Sequence, residues 1–165
     1  TKLAAEQLVL AYVRRGYVKG TSLRLYSVYG PRERPDKLYT RLIDCGINNK
    51  PFTLFKGSEA HLRSFTYVQD IVDGVVSVLG KETICNGEIF NLGTETENTT
   101  QKGIKTVEDI LQATIQIVNK PARPGDQSRT KANIDKARKL LGYDPQTTLE
   151  AGLKAQVKWF KETFK

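Results

Sequence analysis

The side chains able to do chemistry are few. His61 is the only histidine, Cys45 and Cys85 are the only thiols, and 26 lysines and arginines stand against 18 aspartates and glutamates, for a net charge of +8 at pH 7. No serine or acid is arranged around His61 in the sequence, so it reads as a surface residue rather than a catalyst. Two cysteines cannot build a disulfide scaffold or a cysteine zinc site; they read as buried small hydrophobes of a reducing, cytoplasmic compartment. What remains is the positive charge, which could face nucleic acid, a membrane surface or a smaller polyanion. The cations are spread over Arg14, Arg15 and Lys19, then Arg32, Arg34 and Lys37, then a set from Lys131 to Lys139, with acids interleaved. No aromatic-interleaved motif and no Cys/His finger spacing accompanies them, so no nucleic-acid partner is expected. The most apolar stretch, Ile71 to Leu79, is interrupted by Asp73 and Gly74 and falls far short of the roughly 20 residues of a membrane span, so no membrane partner is expected either. An acidic small molecule held by a few well-placed arginines stays open beside the reading of ordinary solvated faces.

The elements that must position these groups follow from periodicity. With 39% hydrophobic and 27% charged residues the composition is globular, and a chain of this length buries about 70% of its unfolded surface. Leu3, Ala4, Leu8, Ala11 and Tyr12 recur at helical spacing, with Val9, Leu10 and Val13 widening the stripe beyond one face. Thr21 to Tyr29 reads as one strand, ended by Gly30-Pro31. A helix over 37–47, a strand over 52–55, and a helix capped by Asp70 with Ile71, Val72, Val75, Val76 and Leu79 on one side come next. Glu88 to Leu92 is a strand, 94–103 a surface loop, 105–112 a short helix and 113–118 a strand. Two prolines and a glycine bar regular structure over 121–126. Asp135 caps a helix to Leu141, and Leu149, Leu153, Val157, Phe160 and Phe164 mark the last helix. This alternation predicts an α/β fold. No methionine and no signal peptide is present, and Thr1 to Glu6 read as a helix already under way, so the chain is expected to be a fragment.

Three patterns, taken in order, carry a resemblance. They are Leu23-Arg24-Leu25-Tyr26-Ser27-Val28-Tyr29-Gly30-Pro31 followed by Arg32-Glu33-Arg34-Pro35-Asp36; Arg63-Ser64-Phe65-Thr66-Tyr67-Val68-Gln69-Asp70-Ile71-Val72; and Phe90-Asn91-Leu92-Gly93, then Arg123-Pro124-Gly125-Asp126, then Lys139-Leu140-Leu141-Gly142-Tyr143. Together they resemble the carboxyl half of an extended short-chain dehydrogenase/reductase of the NAD-dependent nucleotide-sugar epimerase/dehydratase family, most like the UDP-glucuronate 4-epimerases.

The resemblance implies the C-terminal part of a Rossmann-like fold. Residues 1–30 and 68–93 would complete the dinucleotide-binding domain, and 31–67 and 94–165 would form a substrate lobe. Lys2 matches the lysine of the family's Tyr-x-x-x-Lys pair, which makes it catalytic and a contact of the NAD ribose; residues four apart share a helix face, and an ammonium beside a phenol lowers its pKa. Tyr26 is implied at the cofactor. Thirteen glycines include no Gly-x-Gly-x-x-Gly, Gly16 and Gly20 being the nearest pair, so the pyrophosphate turn is not among these residues. Arg63 and Arg123 match diphosphate-binding positions, where a guanidinium forks onto phosphate oxygens. Ser27 matches a sugar-nucleotide contact. Asp126 matches a ribose-binding acid or is a turn-forming residue; Phe55 packs on uracil or in the core; Arg34 binds a sugar carboxylate or is a solvated loop arginine. Implied for the whole protein are C4 epimerisation of a UDP-sugar or UDP-uronate through a 4-keto intermediate and a homodimer built on the first helix, with this chain alone inactive. The alternatives are a nucleotide-sugar 4,6-dehydratase or decarboxylase of the same family, or a non-catalytic nucleotide-binding relative.

Overall fold

The computed structural model describes residues 1–164. Helix α1 (Lys2–Arg14) leads into strand β1 (Ser22–Leu25), which pairs in parallel with β6 (Ile89–Leu92), Ser22 opposite Ile89. The strand expected over 21–29 is two strands. Ser27 takes a left-handed φ of 39° and breaks it, and β2 (Val28–Tyr29) pairs instead with β5 (Thr66–Tyr67). Strand β3 (Phe52–Phe55) pairs in parallel with β8 (Ile117–Lys120). A three-stranded sheet sets β4 (Leu62–Arg63) between β7 (Asn98–Thr99) and β9 (Arg129–Thr130). The remaining helices are α2 (Leu38–Ile47), α3 (Val68–Val76), α4 (Glu82–Cys85), α5 (Thr100–Leu111), α6 (Asp135–Leu141) and α7 (Leu149–Thr163), with one 3-10 turn at Ser58–Ala60.

Two apolar clusters hold these elements. The first joins Ile71, Cys85, Phe90, Leu92, Ala132, Ile134, Ala137, Leu141 and Tyr143, so α6 packs with β6 although it lies far along the chain. The second gathers Tyr29, Tyr39, Leu42, Phe52, Ile104, Val107, Leu153 and Phe160 from β2, β3, α2, α5 and α7. Gly152 lets α7 approach Tyr29: a Cβ there would lie 2.2 Å from Tyr29 Oη. Cys85 is buried as expected, whereas Cys45 is half-buried.

Several expectations are corrected. Asp70 does not cap α3; Tyr67 holds that place, and the Asp70 carboxylate accepts from Thr147 Oγ1 at 2.9 Å and Thr147 N at 3.2 Å, tying down the loop before α7. Of the apolar residues assigned to the inner face of α3, Ile71 is buried, while Val72, Val75, Val76 and Leu79 are exposed; the inner face runs through Ile71 and Gly74, the latter beneath Tyr143. The polar run 94–103 is not all loop. Asn98 and Thr100 are buried, and Thr99 Oγ1 accepts from Lys102 N to cap α5. The following strand begins at Ile117, later than expected. On α1 only Leu10 is buried, and Leu3, Leu8, Val9 and Tyr12 stand exposed. Among the described residues, no helix is long and apolar enough to cross a membrane.

Candidate functional site

Ser27, Phe55, Arg63, Arg123 and Asp126 come from four separate stretches of chain, and they line one cavity of about 780 Å³. Ser27 sits in the break between β1 and β2, where its carbonyl accepts from Thr66 N at 3.1 Å. Phe55 ends β3. Arg63 ends β4 and is held from two sides: it donates to the Leu62 carbonyl at 3.0 Å and to the Gln127 carbonyl. Two backbone carbonyls thus aim the guanidinium, while Ser64, the next residue, is buried and joins β9 through the Thr130 carbonyl.

Arg123 belongs to the irregular segment between β8 and β9. Its guanidinium lies over the Phe55 ring, 4.7 Å from the centroid. Asp126 N closes a turn onto the Arg123 carbonyl at 3.3 Å, and Gly125 supplies the positive φ that this turn requires. The Asp126 carboxylate then has two guanidiniums and one imidazole around it at long range: Arg63 at 3.9 Å, Arg123 at 3.8 Å and His61 Nδ1 at 3.8 Å. None is in full contact, so the guanidinium forks keep donors free for an anion in the cleft.

Arg34 is not brought to this group. It is clamped by Asp36, with bonds of 2.9 and 3.1 Å, which hold the Asp36 carboxyl below the usual range. Arg34 lines an adjoining cavity of about 360 Å³ that shares Val28, Glu33 and Lys37 with the first. Lys2 lies exposed in the first turn of α1, and Tyr26 is half-buried beneath Gly93; neither lines the main cavity.

Two lining residues were missed by the sequence reading. Glu33 Oε2 accepts from Thr40 N, Thr40 Oγ1 and Gln156 Nε2, all at 2.9 Å, and burial still pushes its carboxyl above the usual range. It fastens the loop between the cavities to α2 and α7. His61, expected on the surface, has a side chain only 17% exposed and turns into the cleft. Its backbone is extended, and extended residues two apart share a face. The spacing to Arg63 was the available signal. Among the described residues no cluster of His, Cys, Asp and Glu is placed to hold a metal ion.

Parallel strand pairs joined through helices, with arginines in a cleft beside their ends, make this a protein of the α/β class. The sequence profile of the family described as "NAD dependent epimerase/dehydratase family" matches residues 1–93, and the chain belongs to that family. It is 38% identical to an uncharacterized UDP-glucose epimerase, YtcB, of Bacillus subtilis, over 99% of this chain and 51% of that protein. It is 36% identical to UDP-glucuronate 4-epimerase 1 of Arabidopsis thaliana, over 97% of this chain and 41% of that one. The crystal structure of UDP-glucuronic acid 4-epimerase from Bacillus cereus, in complex with UDP-glucuronic acid and NAD, superposes with a TM-score of 0.92 at 33% identity, covering 99% of this chain and 52% of that chain. The fold is that of the extended short-chain dehydrogenase/reductases. The chain spans about half the length of the curated relatives it matches.

Proposed function

We propose that this chain is the nucleotide-sugar-binding half of an NAD-dependent epimerase acting at C4 of a UDP-sugar or UDP-uronate. The observation that carries the reading is the meeting of Arg63, Arg123, Asp126, Phe55 and Ser27 in one cleft, together with relatives named as UDP-glucuronate and UDP-glucose epimerases. Arg63 and Arg123 hold the diphosphate, Phe55 offers a ring face to the base, Asp126 accepts from the ribose, and Ser27 meets the sugar end. Arg34, in the adjoining cavity, binds a sugar carboxylate in this reading by exchanging Asp36 for it. Two units joined through the exposed apolar face of α1 are part of the same reading.

NAD enters this proposal for the whole protein. The Lys2 ammonium, exposed and without an ion-pair partner among the described residues, suits a ribose diol; no glycine turn for a pyrophosphate lies among the 165 residues. When bound, the dinucleotide supplies hydride acceptance and return. This chain's own part is to bind and orient the sugar nucleotide.

The test is calorimetric titration of UDP, dTDP, GDP and UDP-glucuronate into the chain, with turnover of UDP-glucuronate plus NAD followed in parallel. The expected result is preference for the uridine ligands and no UDP-galacturonate above the blank. Equal binding of all three nucleotides, or none, refutes the assignment of the cleft; turnover by these residues alone refutes the division of labour.

A further inference from the structure

His61 lines the cleft beside Arg63, Arg123 and Asp126 and has been given no role. Its ring is mostly enclosed, makes no side-chain hydrogen bond among the described residues, and faces the same carboxylate that Arg63 and Arg123 face. The backbone around it is fixed: His61 N donates to the Ser58 carbonyl at 3.2 Å, and its own carbonyl accepts from Thr100 N at 3.1 Å. With its backbone held at both ends, the ring turns into the cleft with its nitrogens unspent on any side-chain or backbone partner among the described residues.

We propose that His61 is a third diphosphate-binding side chain, donating from its ring to a phosphate oxygen alongside Arg63 and Arg123, and that its protonation tightens nucleotide-sugar binding. The proposal rests on the diphosphate reading of the cleft. Two guanidiniums against the Asp126 carboxylate leave one net positive charge at this mouth; a protonated imidazole doubles it. Imidazole is the side chain whose ordinary charge change falls between about pH 5 and 8. The charged groups that bear on it are Asp126 and Arg123 from the segment before β9, Arg63 and Glu59 on its own stretch, Lys56 after β3, and Glu33, Asp36, Lys37 and Arg41 across the cavity. From α5 the lining residue is Thr100, which is uncharged. The negative charge of a bound diphosphate favours the imidazolium. Ligand therefore draws a proton onto His61, and by linkage affinity rises as pH falls.

The probe is UDP-glucose, whose internal diphosphate stays ionised throughout this range, titrated by calorimetry into the chain at several pH values from about 5.5 to 8.0. Wild type should bind about threefold to tenfold tighter at the acid end, the scale of one gained charge-assisted hydrogen bond in a part-exposed site. His61→Gln and His61→Ala should flatten that dependence, and Arg63→Ala should weaken binding at every pH while keeping the slope. Near the middle of the range, the wild-type enthalpy should vary with the buffer's ionisation enthalpy, reporting proton uptake without any variant. A flat wild-type profile, no proton uptake, or an unchanged slope in His61→Gln overturns the role of His61 while leaving the cleft assignment standing. No binding of UDP-glucose at any pH overturns the cleft assignment, and this proposal with it.

Discussion

Replacing Arg63 and Arg123 in turn should have unequal effects on UDP-glucuronate binding. The Arg63 side chain is 18% exposed and pinned to two carbonyls, so its fork toward the ligand is held in place and shielded from water. Hydrogen bonds to charged groups contribute about 1.5–3 kcal/mol, and Arg63→Ala should weaken binding roughly tenfold to a hundredfold. Arg123 is 60% exposed. Solvent screening limits such a contact to about 1 kcal/mol, roughly fivefold, and the guanidinium already rests on the Phe55 ring. Lys at position 63 keeps the charge but loses the fork, so it should recover only part of the loss. Because both arginines face Asp126, the double variant should lose less than the sum of the two. Isothermal calorimetry on the four variants, with melting curves to confirm folding, gives all four numbers. A larger loss for Arg123→Ala than for Arg63→Ala would refute the argument from burial, and wild-type affinity in both would make these arginines structural.

Three further outcomes are expected. Gly152→Ala puts a methyl group 2.2 Å from Tyr29 Oη and 2.8 Å from the Tyr67 ring, and overpacking of this kind should cost about 1–3 kcal/mol in urea unfolding; an unchanged midpoint refutes the close approach of α7. Glu33 has a folded-state pKa raised by burial, so the folded chain binds the extra proton and the stability of wild type relative to Glu33→Gln should fall as pH rises from the ordinary glutamate range through the raised value. A constant difference from pH 4 to 8 refutes this. Exposed Leu3, Leu8, Val9 and Tyr12 on α1 should drive self-association, which Leu8→Lys should reduce; a strictly monomeric sedimentation profile at high concentration counts against it.

Much of this arrangement was legible from residue type and order. The last helix and the breaker at 121–126 sit where the sequence puts them, and Arg63 and Arg123 line one cavity while Arg34 does not, because apolar period, proline and motif are local signals. What was not legible depends on distant partners. Asp70 looks like a cap from its neighbours alone, but Thr147, far along the chain, claims its carboxylate. The apolar side chains of α3 imply an inner face that the packing of Gly74 under Tyr143 rotates away. Ser27 gives no local hint of a left-handed φ; the break there arises because β1 and β2 pair with different strands. His61 looked idle because Asp126, its neighbour in space, is remote in sequence.

The strand pairing also governs how this chain comes together. Ser22 meets Ile89, Phe52 meets Ile117, and Leu62 meets Arg129; no two strands that pair are joined by a tight hairpin. Each ladder forms only after a long loop has closed, and loop closure costs entropy before any contact repays it. A high contact order of this kind places folding roughly in the millisecond-to-second range rather than among fast helical proteins. The cleft comes late in that order, since Arg63 has its second anchor only when the segment before β9 has arrived. Under the proposed function, a nucleotide sugar bound there would recognise the finished topology and none of its precursors, so its binding energy would add to the stability of the whole chain and draw slow folders toward the native state.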